Sequence, residues 1–171
     1  MGTIKLFLVS TIDYDDFRII IDEWKSKSSL VMEEKIISND NSYLELINMV
    51  VNKRLQLKNY QNLFSIFLAK RIEDNTVVGV SFIKKNIFLS VDKYDSNIKF
   101  FVSNHFQNKD YDLQILNLSI NECIKSDFDE ITLFLPNDNC KINELIKNYD
   151  CTFKKQLVTS EGVFNRFLLK I

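Results

Sequence analysis

The stretch Ile98-Lys99-Phe100-Phe101-Val102-Ser103-Asn104-His105-Phe106-Gln107-Asn108-Lys109-Asp110-Tyr111-Asp112, continuing as far as Cys123, decides how this chain is read. Its first five residues alternate as a strand does, with Ile98, Phe100 and Val102 on one face and Lys99 and Phe101 on the other. Ser103 to Lys109 reads as a polar loop. A helix is expected from Asp110, with Leu113, Leu116, Ile120, Cys123 and Ile124 forming one apolar stripe. A strand that runs through a short loop into a helix leaves the first helical N–H groups unpaired and facing the loop. Those donors and the helix dipole suit a phosphate group.

Outward from this stretch, composition sets bounds. The chain has 171 residues, of which 46% are hydrophobic and 26% charged, as in an ordinary globular domain. A chain of this length buries roughly 70% of its unfolded surface, enough for one core without metals or disulfides. With 22 basic and 23 acidic residues the net charge is −1, which argues against a nucleic-acid binder. Cys123, Cys140 and Cys151 are odd in number and match neither a zinc pattern nor a redox pair. Cys123 lies on the helical stripe and is read as a small buried hydrophobe. The single histidine, His105, excludes a multi-histidine metal site, and no metal is expected. No apolar run approaches the roughly 20 residues that span a bilayer. The N-terminus lacks a secretory pattern, so no membrane association and a cytoplasmic location are expected. With three glycines and one proline, positive-φ positions must fall largely to Asn and Asp.

The remaining elements follow in order. Thr3 to Val9 alternates as a strand, and a helix begins at Asp13 with Phe17, Ile20, Ile21 and Trp24 at helical spacing. Trp24 completes that stripe and is read as core. Ser26 to Asn39 reads as irregular cover for one edge of a site. A second helix starts near Asn41 or Ser42, with Leu44, Ile47, Val50, Val51 and Leu55 inward and Lys53, Arg54 and Lys58 near its end. Asn62 to Glu73 and Thr76 to Lys84 form a hairpin about a two-residue Asp74-Asn75 turn. The first of these strands is apolar on both faces, and Gly79 in the second marks a bulge or a close approach. After Asn86 to Ser96 comes the opening stretch, then a strand from Glu130 to Leu135 ended by Pro136. Asn137-Asp138-Asn139 precedes a helix bearing Ile142, Leu145, Ile146 and Tyr149. Cys151 to Val158 and Val163 to Ile171 close the chain as a hairpin around Ser160-Glu161-Gly162. The strand-helix-strand over 98–135 demands a crossover and a locally parallel pair, while the hairpins demand antiparallel ones. The expectation is one α/β domain over 1–171: a twisted mixed sheet of about seven strands with helices on both faces.

Val102 to Asp112 resembles the acyl-CoA loop of the GCN5-related N-acetyltransferases, whose pattern is Gln/Arg-x-x-Gly-x-Gly/Ala. Gln107 takes the first position, and Asp110 and Asp112 stand where the family has small residues. Element order, Asp138-Asn139 before the last helix, the Glu23-Trp24 pair and the closing Gly162-Val163-Phe164-Asn165-Arg166-Phe167 are similar to the family as well. The resemblance implies that the fourth and fifth strands splay and receive the pantetheine of acetyl-CoA, the cosubstrate. It places main-chain groups of Phe101 and Val102 on the pantetheine. It places the N–H groups of Gln107, Asn108, Lys109, Asp110, Tyr111 and Asp112 on the pyrophosphate, with Asn139 alongside.

On that basis the chain is expected to be an N-acetyltransferase moving an acetyl group to a primary amine of a small molecule or peptide, as a monomer or homodimer. Two departures support an alternative, a catalytically weak or inactive binding module on the same fold. Asp110 and Asp112 set carboxylates beside a dianion, where two unit charges at ~5 Å and a dielectric of about 20 repel by about 3 kcal/mol. As helix N-terminal residues both are otherwise read as caps, with Lys109 offsetting part of the repulsion. The position of the family's proton-donating tyrosine falls near Ile146, which has no proton to give. His105 is read as an exposed loop residue, and the sequence does not choose a base among Glu33, Glu34, Asp92 and Asp95.

Overall fold

The computed structural model describes residues 2–27, 43–44, 47–48, 64–85, 96–107 and 109–171. Strands β1 (Ile4–Leu8), β2 (Phe64–Arg71), β3 (Val77–Lys84) and β4 (Ile98–Val102) form an antiparallel sheet in sequence order. Strands β5 (Glu130–Pro136), β6 (Asp150–Thr159) and β7 (Gly162–Lys170) form a second antiparallel sheet in the order β5-β7-β6. Helices α1 (Tyr14–Lys27), α2 (Tyr111–Lys125) and α3 (Cys140–Ile146) complete the elements of defined extent. Among the described residues no helix is long and apolar enough to cross a membrane.

The two faces of β2 explain why both are apolar. Ile66 and Leu68 pack with Phe17, Ile20, Ile21 and Trp24 of α1, while Phe67 and Ala69 pack with the α2 side. Helices therefore cover both faces of the first sheet, as the strand's sequence requires. The α2 stripe buries Tyr111, Ile115, Leu116, Ser119, Ile120 and Cys123. Ile124, expected inward, is 46% exposed because it lies past the edge of the stripe. One polar pair is buried there: Ser119 Oγ donates to the Ile115 carbonyl at 2.7 Å and lies 2.7 Å from Ser81 Oγ.

The seven strands divide between β4 and β5, where the resemblance implied a splay. Between β4 and β5 the parallel relation is confined to one end, where the Asn97 N–H donates to the Thr132 carbonyl at 2.9 Å. There the Asn97 side chain accepts from the Thr132 N–H at 2.6 Å and donates to the Lys84 and Lys85 carbonyls at 2.8 and 3.2 Å. Ser96 Oγ lies 2.7 Å from the Ile98 carbonyl and 3.0 Å from that of Thr132. Beyond this clamp β4 and β5 share no ladder, and the strands splay toward their carboxyl ends.

Several local expectations are corrected. The β2–β3 connection is a five-residue loop, 72–76, rather than a two-residue turn. The Arg71 carbonyl accepts from Asn75 N–H, and Arg71 N–H donates to the Thr76 carbonyl. Asn75, at φ 58°, supplies the left-handed residue that closes it. Ser26 and Lys27 are the last turn of α1, not irregular chain; the rest of that segment, 28–39, lies outside the described residues. Tyr43 and Ile47 are helical and buried, but Leu44, expected inward, is 45% exposed. Val50, Val51, Leu55, Lys53, Arg54 and Lys58 lie outside the described residues, as do Glu33, Glu34, Asp92 and Asp95. The helix expected to reach Tyr149 ends at Ile146, and Tyr149 instead donates to Asn117 Oδ1 at 2.8 Å.

Gly79 is a close approach beside a bulge: Ala69 faces Gly79 and Lys70 faces Val77, so Val78 is extra. A Cβ on Gly79 would lie 2.3 Å from the Phe101 carbonyl oxygen and 2.6 Å from Ile115 Cδ1. Gly79→Ala is expected to cost about 2 kcal/mol, read as a lower urea midpoint; an unchanged midpoint would show that β4 and α2 yield freely there. Asn97→Ala leaves one buried and two half-buried main-chain groups, on Thr132, Lys84 and Lys85, without their side-chain partner and is expected to cost about 3 kcal/mol. Equal stability of that variant and the parent in thermal unfolding would refute the clamp.

Candidate active site

The splay opens a cavity of about 360 Å³ between β4 and β5. Ile98, Phe100, Phe101 and Val102 line one wall and Phe134, Leu135 and Pro136 the other. Phe164 of β7 stacks on Phe134 at 4.7 Å and extends the second wall. The start of α2 closes one end through Gln107, Tyr111 and Asp112, with Asn139 and Ile142 opposite. Ser96 and Lys99 lie at the clamped end.

Register decides which main-chain groups face this gap. Val80 pairs with Phe101 and Gly79 with Val102, and the Ser103 N–H bonds the Val78 carbonyl at 2.9 Å. Hydrogen-bonded pairs alternate along an antiparallel ladder. Phe101 therefore shares with Ser103 the edge turned toward β3. Phe100 and Val102 turn their N–H and C=O groups toward the gap, as Ile98 does where its carbonyl receives Ser96 Oγ. The resemblance puts Phe101 main-chain groups on the ligand; in the structure those groups belong to the ladder, and Phe100 stands in their place. The Phe101 ring instead stacks on Trp24 at 5.7 Å, with the planes 10° apart, and so ties β4 to α1.

The turn into α2 is built from three contacts. Glu23 Oε1 accepts from the Asn104 N–H at 2.5 Å, fixing the loop to the end of α1. Phe106 packs edge-on against Tyr111 at 6.0 Å, and Lys109 Nζ lies 5.4 Å from the Phe106 ring centre. Asp110, at φ 53° and ψ 22°, occupies the left-handed region that favours glycine. Asp is among the residues that tolerate this region, so the turn forms without glycine. Its carboxylate does not cap α2, contrary to expectation. It accepts from Lys141 Nζ of α3 at 2.5 Å. This partner holds the Lys141 ammonium above its ordinary range, through the hydrogen bond first and the charge second. Asp112 does not cap either: its carboxylate accepts from Asn139 Nδ2 at 3.1 Å, and Asn139 Oδ1 caps α3 by accepting from Ile142 N–H. The Gln114 N–H is bonded to the Asp110 carbonyl at 3.3 Å, so the N–H groups of Tyr111, Asp112 and Leu113 precede the first helical bond.

The expected site residues thus divide. Phe101, Val102, Gln107, Tyr111, Asp112 and Asn139 all line the cavity. Lys109 and Asp110 are not among the residues that line it, and Asn108 lies outside the described residues. His105 is exposed on a short 3₁₀ turn and does not line the cavity. Ile146 is 1% exposed, within the core under α3. Lys141 was missed; its only signal in the sequence was a lysine two residues after the helix-capping asparagine. Among the described residues no cluster of three or more His, Cys, Asp and Glu is arranged to hold a metal.

No protein-family model matches the chain, and no curated protein matches its sequence. Solved structures do match. The ribosomal L7/L12 α-N-protein acetyltransferase RimL, in complex with coenzyme A, superposes with a TM-score of 0.68 at 12% identity, covering 100% of this chain and 96% of that one. A ribosomal-protein-S5-alanine acetyltransferase from Vibrio fischeri gives 0.70 at 8% identity, over 99% and 94%. The microcin C7 self-immunity acetyltransferase MccE, in complex with acetyl-CoA and AMP, gives 0.63 at 18% identity, over 98% and 92%. The chain has the fold of the GCN5-related N-acetyltransferases.

Thiol reactivity checks the burial assigned to the core under α2. Burial, then the charge of Glu122, pushes the Cys123 thiol up to about 12, whereas Cys140 is exposed. At about pH 8 Cys123 holds almost no thiolate, the reactive form. Native iodoacetamide treatment followed by peptide mass analysis is expected to label Cys140 and spare Cys123; rapid labelling of Cys123 would contradict this packing.

Proposed function

We propose that the chain is an acetyl-CoA-dependent N-acetyltransferase that moves the acetyl group to a primary amine of a small molecule or peptide. The observation that carries this reading is the cavity itself. One wall is a strand edge whose polar groups at Phe100 and Val102 face the gap, and one end is a helix N-terminus with three N–H groups before its first bond. Pantetheine has amides of the right kind to lie along such an edge, and a pyrophosphate suits such an end. The fold likeness to acetyltransferases, some solved with CoA or acetyl-CoA, supports the same reading.

In this reading the thioester carbonyl lies toward the clamped end, where a main-chain N–H of β4 stabilises the charge that develops on its oxygen. The amine nitrogen attacks the carbonyl carbon, the C–N bond forms, the C–S bond breaks and the CoA thiol leaves. The ammonium proton passes to a base or through water. The apolar walls, Phe134 and Phe164 among them, exclude competing water from the thioester.

A specific observation favours the second reading, a binding module without turnover: Ile146 is in the core and offers no proton at the place of the family tyrosine. The two readings separate in one pair of measurements. Acetyl-CoA at about 1 mM is expected to raise the melting temperature by about 5 °C, since ligand at about 100 times its Kd adds about 2.7 kcal/mol. Thiol release in the presence of N-terminal peptides or polyamines then reports transfer. Stabilisation without thiol release for any amine would favour a weak or inactive module that still holds the donor; no stabilisation would end the acetyl-CoA reading and favour a module whose partner binds elsewhere.

A further inference from the structure

Two polar links join the start of α2 to the start of α3: Asn139 to Asp112 at 3.1 Å, both of which line the cavity, and next to it Lys141 to Asp110 at 2.5 Å. They differ in kind. Asn139 is committed, because its other amide atom caps α3. Lys141 is a flexible side chain whose only carboxylate partner among the described residues is Asp110, and the two side chains are 66% and 37% exposed. The other nearby cation, Lys109, stands over the Phe106 ring. Asp110 is the residue just before α2, at its N-cap position, and its carboxylate turns to Lys141 instead of bonding the helix N–H groups. In the absence of ligand Lys141 neutralises that carboxylate.

Resting on the acetyl-CoA reading, we propose that Lys141 is the specificity-determining cation of the donor site: it leaves Asp110 to pair with the donor pyrophosphate, and Asp110 is the internal anion it is exchanged from. The acidic residues in the phosphate turn then do not disable the site. They make its occupation an ion exchange, in which the entering dianion competes with Asp110 for one ammonium group. The charge balance favours the exchange, since a pyrophosphate offers two negative charges and several acceptor oxygens against one carboxylate. Affinity is accordingly set by the difference between two ion pairs, and the two partners have opposite effects on it. Removing the lysine weakens binding, and removing the carboxylate strengthens it.

The test is calorimetric titration of the full chain with CoA, for the parent, Lys141→Ala, Lys141→Arg and Asp110→Asn, each checked for an unaltered melting temperature without ligand. Lys141→Ala is expected to raise the Kd about tenfold and to flatten the dependence of Kd on salt. Lys141→Arg should keep the Kd within about threefold of the parent, and Asp110→Asn should lower it about tenfold. If the pair only tied α2 to α3, Asp110→Asn and Lys141→Ala would weaken CoA alike, and the proposal would be overturned. An unchanged Kd in both variants overturns it too while leaving the acetyl-CoA reading intact. A parent that binds no CoA removes both.

Discussion

Everything at the centre of this molecule depends on Asn97. One side chain satisfies the Thr132 N–H of β5 and two carbonyls at the end of β3. Buried at 4% exposure, it converts what would be a continuing ladder into a single point of attachment between two sheets. An antiparallel sheet twists, and two such sheets joined at one corner diverge from it. The gap that results has one wall with unpaired main-chain groups, a feature that buried structure ordinarily excludes. An open strand edge inside a protein is a cost unless something extended comes to cover it, which is why the clamp and the cavity belong together.

The far end of the gap is governed by charge. A turn that glycine would make without side chains is made here by Asp110 in the left-handed region. Its carboxylate brings negative charge to a place whose dipole and N–H groups favour anions anyway. Across the gap α3 begins with the partners of both carboxylates, Lys141 for Asp110 and Asn139 for Asp112. The two helix starts are therefore read together. Each carries polar groups that complete the other. The aromatic contacts on the opposite side have the complementary role. Trp24 against Phe101 and Phe82, and Glu23 at Asn104, hold β4 and its following turn rigidly to α1, so the wall facing the gap keeps its register.

Much of this was legible in the residues. Period-two alternation placed Ile98, Phe100 and Val102 on one face, and the dual apolarity of β2 announced helices on both sides, because side-chain patterning reports burial directly. Gly79 told of a close approach because only a missing Cβ lets the Phe101 carbonyl come so near. Scarcity of glycine foretold asparagine and aspartate at positive φ, and among the described residues Asn75, Asp110 and Asp127 hold those positions. Ile124 and Leu44 were misplaced because each borders an apolar stripe, and a helical pattern does not say how far the neighbouring sheet extends. The β2–β3 loop was misjudged because Asp-Asn fits turns of several lengths, and the register of two strands selects among them.

The sequence by itself determined the order and type of the elements and the crossover that sets β4 beside β5, since these follow from local periodicity and chain connectivity. The resemblance carried by the loop after β4 anticipated that β4 and β5 splay; tertiary structure alone decided that Asn97 would hold them together at one end, that Phe100 rather than Phe101 would offer its main chain to the gap, and that Lys141 would stand against Asp110. Each of these is a relation between groups distant along the chain, fixed by how packed surfaces meet. No pattern of neighbouring residues encodes a distance across a cleft.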